Sequence, residues 1–377
     1  MDNSATTRVD LEAAGLVQRI MLEDYGNPSS LHGMGFRAEK HIREAKEIFA
    51  KLLKCRDGEI YFTSGGTESD NLALIGAYMA NRRRGKRIIS TGLEHDAVSR
   101  TLKHLEEVEG AQIVYLKPDD RGHISINDLK EALTEDTILV SIMHVNNEIG
   151  SIEPIQEAGK VIHEINPECL FHVDDIQGFG KLKLIPGEAH VDLLSVSSHK
   201  IHGPKGVGLL YKSDRARLEP VIFGGGHQKG LRSGTENVPG IAGFALAAKK
   251  MYDELDSNYA AFCDMRKILL EEISPVEDIK VNGGDAPYII SLSVKNVRAE
   301  VLLHALEEKG IYVSAGSACS SNRPHVSETL KAIDADKWQL DSTIRISLSP
   351  HNTPEEMRYT AEELKEIIPR LRMFTRR

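Results

Sequence analysis

The sequence predicts an α/β protein in which a large, mainly parallel sheet is followed by a smaller α+β domain. Short β-rich runs alternate with longer helical patterns over roughly the first 240 residues. Strand, helix, strand in repetition is typical of a parallel sheet that helices cover on both faces. After residue 240 a long helical stretch leads to a second, smaller set of strands and helices. A chain of 377 residues is long enough for two such domains.

Seven apolar runs in the first part of the chain are predicted to form buried strands. They cover residues 59–63, 87–90, 112–115, 138–142, 170–173, 193–196 and 207–211. Helical patterns between them cover residues 69–83, 97–107 and 155–165. The later part is predicted to contain a long helix from residue 241 to 259 and beyond, strands over 288–294, 311–314 and 343–348, and a helix over 300–309. Thr353-Pro354-Glu355-Glu356 opens a final helix, because it forms a capping box with proline at the first helical position.

Composition excludes several classes of protein. A hydrophobic content of 41% and a charged content of 27% are typical of a folded chain with a sizeable core. Lys and Arg number 47 against 56 Asp and Glu, and the net charge of −9 argues against nucleic acid as a direct partner. No apolar stretch approaches the roughly 20 residues that span a bilayer, and the N-terminus lacks the pattern of a signal peptide. We therefore expect a cytoplasmic protein without a membrane partner.

The four cysteines, Cys55, Cys169, Cys263 and Cys319, show no short paired spacing. Neither a metal site nor a disulfide framework is predicted, and free thiols are expected. Cys319 stands among glycine, alanine and serine in residues 314–321, a composition typical of an exposed loop. The other three lie in helix or strand patterns and are interpreted as small core or surface residues.

The first predicted strand ends in a glycine-rich turn. Ser64-Gly65-Gly66-Thr67 follows Thr63, and a helical pattern then begins. Glycines let backbone amides approach an anion at a helix N-terminus, where the helix dipole also favours negative charge. A phosphate fits this turn, although a tight turn without a ligand explains the stretch equally well.

Polar side chains also follow four further strands. They are Glu94-His95, Asn146-Asn147-Glu148, Asp174 with Gln177, and Lys200. A single histidine or aspartate at a strand end is more often a structural hydrogen-bonding group. Ligands of open parallel sheets bind outside the carboxyl ends of the strands, so five such strand ends together predict a ligand site.

A lysine, a carboxylate, a histidine and a phosphate-binding turn at one edge suit pyridoxal phosphate (PLP). A lysine amine in such a cleft can form a Schiff base with the aldehyde of this cofactor. The pyridine nitrogen needs a carboxylate, the ring needs a face to stack on, and the phosphate needs backbone donors. Lys200, Asp174, His95 and the turn over residues 64–67 supply these groups.

Ten motifs in order resemble those of the cysteine desulfurases, PLP enzymes of aminotransferase class V with the fold-type-I architecture. They are "DNSATT" at 2–7, "YGNPSSLHG" at 25–33, "TSGGTESDNLA" at 63–73, "EHDAV" at 94–98, "HVNNEIG" at 144–150, "HVDDIQ" at 172–177, "SSHKIHGPKG" at 197–206, "GGGHQKGLRSGT" at 224–235, "SAGSACSS" at 314–321 and "STIRISL" at 342–348. Each motif alone is weak evidence. Ten in order, spread essentially from end to end, are very specific.

The resemblance implies a role for each matching residue around the cofactor. Lys200 would form the Schiff base, His95 would stack on the ring and transfer protons, and Asp174 would pair with the ring nitrogen. Gln177 would face the phenolic oxygen. The resemblance also places Asn147 at the cofactor.

The resemblance further implies which residues hold the phosphate and the substrate. The residues that would hold the phosphate are Gly66, Thr67, Ser197 and His199, with Thr235 reaching it from the other subunit of a homodimer. The residues that would hold the substrate are Asn27, Asn147 and Arg345, whose planar fork suits a carboxylate. Cys319 would be the nucleophile that accepts sulfur.

The implied reaction converts L-cysteine to L-alanine and leaves a persulfide on Cys319. A sulfur-acceptor protein, either a scaffold for iron–sulfur clusters or a tRNA-thiolation enzyme, would then receive the sulfur. Two alternatives remain open at this point. One is a selenocysteine lyase or another class V PLP enzyme such as a small-substrate aminotransferase. The other is a non-catalytic sulfur-carrier or interaction subunit, which predicts that the lysine or the acid is missing.

The resemblance also predicts the domain organisation. Residues 1–20 would be an N-terminal segment that packs on the small domain, residues 21–255 the large PLP-binding domain, and residues 256–377 the small domain that carries the Cys319 loop. Two features depart from the family pattern. The first motif starts at residue 2, where family members usually have several residues and a short strand ahead of it, and Asp175 and Ser198 stand where small residues are common. Strand alternation predicts that Asp175 points away from the cofactor ring.

Overall fold

A computed structural model of the chain describes residues 1–315 and 327–375, except for the side chain of residue 375. Cys319 lies outside the described residues. The strands are β1 (Ile60–Thr63), β2 (Arg87–Thr91), β3 (Gln112–Leu116), β4 (Thr137–Met143), β5 (Leu170–Asp174), β6 (Leu193–Ser197), β7 (Gly208–Lys212), β8 (Ile279–Asn282), β9 (Ile289–Val294), β10 (Ser314–Ala315) and β11 (Thr343–Ser347).

Helices separate most of these strands. They are α1 (Leu11–Leu22), α2 (Gly33–Leu53), α3 (Gly66–Asn81), α4 (Asp96–Glu109), α5 (Ile126–Ala132), α6 (Ile155–Ile165), α7 (Val238–Asp253), α8 (Leu255–Ile273), α9 (Ala299–Glu307), α10 (Glu328–Ala332), α11 (Lys337–Leu340) and α12 (Pro354–Thr375). Short 3₁₀ helices cover Asp57–Glu59, Ser198–Lys200 and Gln228–Gly230.

The first seven strands form one sheet in the order β1-β7-β6-β5-β4-β2-β3. The strands from β6 through β5, β4 and β2 to β3 run parallel to their neighbours, whereas β7 runs antiparallel to both β6 and β1. The strand β1 therefore points in the same direction as β6, so the two end at the same edge. The mainly parallel sheet predicted from the sequence is confirmed.

The remaining strands form a second, antiparallel sheet in the order β10-β11-β9-β8. Its apolar side chains pack with those of α8, α9 and α12 in a core of their own. The large sheet is covered instead by α1, α2 and α7 on one side and by α3 and α4 on the other. The smaller α+β part of the predicted fold class is thus confirmed.

The prediction of one long helix beyond residue 241 is wrong at Glu254. That residue has φ −113° and ψ 14° and separates α7 from α8. Phe244 of α7 is buried in the core of the large sheet, whereas Phe262 of α8 is buried in the second core. The apolar pattern continues through the break, and for that reason periodicity alone does not detect it.

The strand predicted over residues 311–314 is also shifted. Within residues 311–315, only Ser314 and Ala315 pair with β11, opposite Arg345 and Ile344. Ile311 and Val313 bury their side chains in the second core without strand pairing, so their alternation with exposed Tyr312 produces the pattern of a strand. The edge strand β8 and the helices α1, α2, α5, α10 and α11 were not predicted.

The N-terminal segment contacts both sheets. Asp2 forms a parallel bridge with Ser347 of β11, and the Ser4 amide donates to the Ser347 hydroxyl at 2.8 Å. By contrast, α1 packs on α7, with Ile20 in the core of the large sheet. The domain boundaries after residues 20 and 255 remain a prediction.

Within residues 1–315 and 327–375, we find no helix that combines the length and the apolar character needed to cross a bilayer.

Candidate active site

Lys200 lies immediately beyond the carboxyl end of β6. That strand ends at Ser197, and the 3₁₀ turn over residues 198–200 places Lys200 at the edge of the sheet. The side chain is half-buried, and its Nζ donates hydrogen bonds to the backbone oxygens of Ser4, at 2.5 Å, and Ala5, at 2.9 Å. The amine is thereby directed at the N-terminal segment that begins with the first motif.

Asp174 is the last residue of the neighbouring strand β5, where it pairs with Ser195 of β6. The residue is only 4% exposed, and its Oδ1 accepts a hydrogen bond from the Ile176 amide at 2.9 Å. Burial raises the pKa of the Asp174 carboxyl to about 6, while the Ile176 amide and Lys200 act in the opposite direction. A cationic partner at this carboxylate would favour its ionised form further.

His95 follows β2 and forms the N-cap of α4. Its Nδ1 accepts a hydrogen bond from the Ala97 amide at 3.1 Å, so the proton of the neutral ring lies on Nε2. Burial lowers the pKa of His95, and the charge of Lys200 lowers it further. The ring is therefore neutral near pH 7 and is fixed in one tautomer.

These groups follow neighbouring strands. The order β6-β5-β4-β2 places Lys200, Asp174, Asn147 and His95 side by side along one edge. The sequence pattern placed each of them after a strand, and the parallel arrangement of those strands brings them together.

The glycine-rich turn lies at the same edge, on the other side of β7. Thr63 of β1 and Ser197 of β6 both pair with Gly208 of β7. A Cβ at Gly208 would stand 2.6 Å from the backbone carbon of Gly65, so only glycine lets the turn approach the sheet this closely. Gly66 then opens α3 with no side-chain cap on its first amides, which leaves backbone donors at a helix N-terminus for an anion.

The other predicted phosphate ligands flank this turn. Thr67 is exposed at the start of α3, and Ser197 is buried at the end of β6. His199 exchanges a 3.2 Å hydrogen bond with the Thr6 hydroxyl through Nδ1. Burial lowers the pKa of His199 to about 4, with Lys200 contributing in the same direction, so this ring acts as a neutral hydrogen-bonding group.

Arg345 reaches the same edge from β11 of the second sheet. The residue is 6% exposed, and its Nη1 donates to the backbone oxygen of Asn147 at 2.8 Å. Its Nη2 donates to Asp2 Oδ1 and to the Ser314 hydroxyl, both at 3.0 Å, while Nε has no partner among the described residues. The guanidinium group thus already binds one carboxylate and retains a buried donor.

Between the two sheets lies a cleft of about 360 Å³. Its lining includes His95, Asn147, Glu148, Ser327 and Arg345. The Ser327 hydroxyl donates to Glu148 Oε2 at 2.5 Å, and burial raises the pKa of Glu148. No sequence pattern indicates the pairs Glu148–Ser327 and Asp2–Arg345, because each joins residues far apart in the chain.

Of three further predicted residues, Gln177 lies close to Lys200, whereas Asn27 and Thr235 do not join this group. Gln177 follows β5, and its Nε2 donates to the Ser4 backbone oxygen at 3.0 Å, so it shares an acceptor with Lys200. Asn27 and Thr235 are exposed, and neither is among the described residues that line the cleft. Asp175 is buried and its Oδ1 contacts His144 Nδ1 at 2.6 Å.

Comparison with known proteins gives the family. The model of the aminotransferase class-V family matches residues 1–359. The chain belongs to this family. It is 40% identical to "Cysteine desulfurase IscS" of Dictyoglomus turgidum over 379 aligned positions, which cover 100% of the chain and 95% of that protein. It is 38% identical to "Putative cysteine desulfurase IscS 1" of Bacillus subtilis, with 98% of each chain covered.

Solved structures agree with the sequence relatives. A structure titled "NIFS-LIKE PROTEIN" superimposes with a TM-score of 0.92 at 37% identity and 98% coverage of both chains. A structure titled "SspA in complex with cysteine" gives a TM-score of 0.82 at 32% identity and covers 93% of this chain and 99% of its own. The family predicted from the ten motifs and the fold-type-I architecture are confirmed.

Proposed function

We propose that the protein is a PLP-dependent cysteine desulfurase that converts L-cysteine to L-alanine and leaves a persulfide on Cys319. The observation that carries this proposal is the placement of Lys200, Asp174, Asn147 and His95 after four neighbouring strands. Of these residues, Asn147 and His95 line the same cleft as Arg345. Relatives named cysteine desulfurase align with nearly the full length of the chain, and they support the same reaction.

The residues present fit PLP. Asp174 is a buried carboxyl group next to a lysine at a strand end. Gly66 opens α3 without a side-chain cap, and Gly208 leaves no room for a Cβ beside Gly65. In the proposed holoenzyme Thr67, Ser197 and His199 hold the phosphate, and Gln177 faces the phenolic oxygen. When bound, the cofactor withdraws electrons from Cα of an attached amino acid, which makes the Cα proton easier to remove.

The side chains of this protein then have separate tasks. The Lys200 amine removes the proton from Cα of the substrate, since it lies at the strand end next to Asp174. His95 is neutral and fixed in one tautomer, so its Nε2 proton is available to the reacting groups. Asp174 in its ionised form stabilises positive charge on the ring nitrogen.

Arg345 holds the substrate carboxylate. It already binds the carboxylate of Asp2 through Nη2, and its buried Nε has no hydrogen-bond partner among residues 1–315 and 327–375. A guanidinium group offers two parallel donors to a carboxylate, and this pairing is about twice as strong as a neutral hydrogen bond. We include Asn147 in this site because its backbone oxygen anchors the same guanidinium group, and Asn27 on the basis of the resemblance.

Sulfur transfer is assigned to Cys319. Its thiolate attacks the substrate sulfur, the bond between that sulfur and Cβ breaks, and the carbon side takes up protons to become alanine. Ala315 and Ser327, the described residues on either side of the segment that contains Cys319, both line the cleft. Burial raises the pKa of the Cys55 and Cys169 thiols to about 12, so neither supplies a thiolate near pH 7.

The proposed active unit is a homodimer. Thr235 is exposed at the end of the glycine-rich run that follows Phe223, a side chain that is 79% exposed. An exposed aromatic side chain such as Phe223 suits a subunit interface. PLP occupancy should then rise with dimerisation, and a monomer with full cofactor content and full activity would refute the dimer.

The test of the proposed function is incubation of the purified protein with PLP and L-cysteine. Alanine and sulfide should form in equal amounts when a thiol reductant regenerates Cys319 from its persulfide. Turnover confined to L-selenocysteine would indicate a selenocysteine lyase, and formation of pyruvate in place of alanine would indicate another PLP lyase. We expect the protein to act in the cytoplasm. There a sulfur-acceptor protein would take the place of the reductant.

A further inference from the structure

A cluster of titratable side chains lies next to Gln177 and takes no part in the function proposed above. Its members are Asp175, His144 and Lys181, and each is buried, with at most 6% of its surface exposed. Asp175 is one of the two positions at which the sequence departs from the family pattern. A buried charge is costly unless it is paired and hydrogen-bonded, so each member of this cluster needs a partner within it.

Asp175 and His144 form a tight pair. Asp175 Oδ1 lies 2.6 Å from His144 Nδ1, and Asp175 Oδ2 has no hydrogen-bond partner among the described residues. A Cβ at residue 178 would stand 2.6 Å from His144 Nδ1 and would also collide with the carboxylate. Gly178 therefore leaves the space that the pair occupies.

Lys181 connects this cluster to Gln177. Its Nζ donates to the backbone oxygen of Gln177 at 3.3 Å and to the side-chain Oε1 at 3.4 Å, and it lies 5.0 Å from the ring centroid of Tyr288. An ammonium group has donors only, so it fixes which end of the amide faces it. The Gln177 oxygen faces Lys181, and its Nε2 is left to donate on the other side.

The Gln177 amide in turn meets Lys200. Its Nε2 donates to the Ser4 backbone oxygen at 3.0 Å, and the same oxygen accepts from Lys200 Nζ at 2.5 Å. Lys181 and Lys200 are thus linked through one amide and one carbonyl. Burial lowers the pKa of Lys181 to about 7, the charges of Lys200 and Arg345 lower it as well, and Asp175 opposes them.

We propose that Lys181 is a positioning residue, which orients the Gln177 amide toward the cofactor site and repels a proton on the Lys200 nitrogen. Asp175, paired with His144, supplies the negative charge that balances Lys181. This inference rests on the proposed function, in which Lys200 binds PLP and Gln177 faces its phenolic oxygen. Asp174, His95 and His199 also interact with Lys200, and the variants below leave all three unchanged.

The first experiment titrates the absorbance of the PLP-loaded protein with pH. Lys181→Met removes a nearby positive charge and the donor to Gln177, so the midpoint for loss of the proton on the nitrogen that joins Lys200 to the cofactor should rise by about 0.5 pH unit or more. Lys181→Gln should shift it in the same direction, and Lys181→Arg, which keeps the charge, should stay near the wild type. Asp175→Asn removes a negative charge and should lower the midpoint.

Opposite shifts for the Lys181 and Asp175 variants are the signature of the proposal. A general loosening of the site would move all variants in one direction, and that result, or an unchanged midpoint in both Lys181→Met and Lys181→Gln, would overturn it.

The second experiment needs no cofactor. The rate at which acetic anhydride labels Lys200 in the PLP-free chain is followed against pH by peptide mass spectrometry, and the midpoint for Lys200 should rise in Lys181→Met and Lys181→Gln. Failure of the wild-type protein to bind PLP would contradict the proposed function and leave this measurement valid. An unchanged Lys200 midpoint in both variants would contradict the proposed coupling between Lys181 and Lys200. It would not contradict the proposed function.

Discussion

The two sides of the cleft are built in different ways. On the side of the large sheet, Lys200, Asp174 and His95 are each placed by the end of a strand, and Asp174 and His95 also accept hydrogen bonds from the amides of residues two positions further along the chain. On the other side, Arg345 is held by Asn147 and Asp2, which are 198 and 343 residues away in the sequence. We infer that cofactor chemistry belongs to a single sheet and substrate recognition to the junction between two. The two functions should then fail separately.

Loss of Lys200 should have the largest effect. Lys200→Ala removes both the covalent attachment of PLP and the base for the Cα proton, so desulfurase activity should fall by ~10³-fold or more. The measurement is borohydride reduction of the PLP-loaded protein followed by peptide mass spectrometry. Exposed Lys205 offers a matched control, and Lys205→Ala should keep the reduced adduct on Lys200. An adduct on any other lysine of the wild-type protein would contradict the assignment.

Asp174→Asn should raise the stability of the PLP-free protein and lower its affinity for PLP. Burial raises the pKa of Asp174 to about 6, above an unfolded value near 3.9. The folded state therefore binds the proton of the Asp174 carboxyl more tightly than the unfolded state does. The contribution of this carboxyl to the free energy of unfolding is present at low pH and is lost as the pH rises from about 4 through 6. In the PLP-free protein the variant should be more stable than the wild type at pH 7, by up to about 3 kcal/mol.

Urea denaturation at pH 4 and at pH 7 measures this difference. The variant's advantage should be small at pH 4 and full at pH 7, while its affinity for PLP falls. An advantage that is the same at both pH values would show that Asp174 is not the group that titrates.

Arg345→Gln should damage substrate binding and spare the cofactor. Loss of a charged, bidentate partner for the substrate carboxylate is expected to raise KM for L-cysteine by roughly 10- to 100-fold. The dissociation constant for PLP, measured by fluorescence, should change little. Arg298→Gln removes an arginine from an exposed pair with Glu300 and should leave both values unchanged. A large loss of PLP affinity in Arg345→Gln would contradict the division between the two sides.

Asp2→Asn should have the smallest effect and the opposite sign. The Asp2 carboxylate occupies Nη2 of Arg345, where it competes with the carboxylate of the substrate. Because Asp2 is partly exposed, its removal is worth only about 0.6 kcal/mol, and KM for L-cysteine should fall about threefold. Glu12→Gln removes the same charge from an exposed position of the N-terminal segment and serves as the control. A KM that rises in Asp2→Asn would show that Asp2 orients Arg345 instead of competing for it.

The same difference explains how much of the site can be predicted from the sequence. Strand ends are set by local patterns, and a parallel sheet brings its carboxyl ends together, so the amino-acid pattern alone places Lys200, Asp174 and His95 at one edge. The contacts of Asp2 with Arg345 and of Glu148 with Ser327 depend on how distant segments pack. Hydrophobic periodicity does not predict these contacts. It also does not predict the break at Glu254, after which α8 packs in the second core.

Buried charge is the other feature that sequence patterns leave open. Alternation predicts that Asp175 points away from the cofactor, but Lys181 stands in a short run without a recognisable pattern. Its link to Gln177 follows from the turn over residues 175–182, where several backbone hydrogen bonds fold the chain back on itself. Such turns are specified by packing as much as by local sequence.

Sulfur transfer to Cys319 is tested with the variant Cys319→Ala and L-cysteine in deuterated solvent. If Cys319 receives the sulfur, the variant should still exchange the Cα proton of L-cysteine for deuterium, since Lys200 is intact, and should form almost no alanine or sulfide. Cys263→Ala, which removes an exposed cysteine on α8, should behave as the wild type. Release of sulfur from L-cysteine by Cys319→Ala at the wild-type rate would contradict the proposed desulfurase reaction, because no persulfide on Cys319 would then lie on the reaction path.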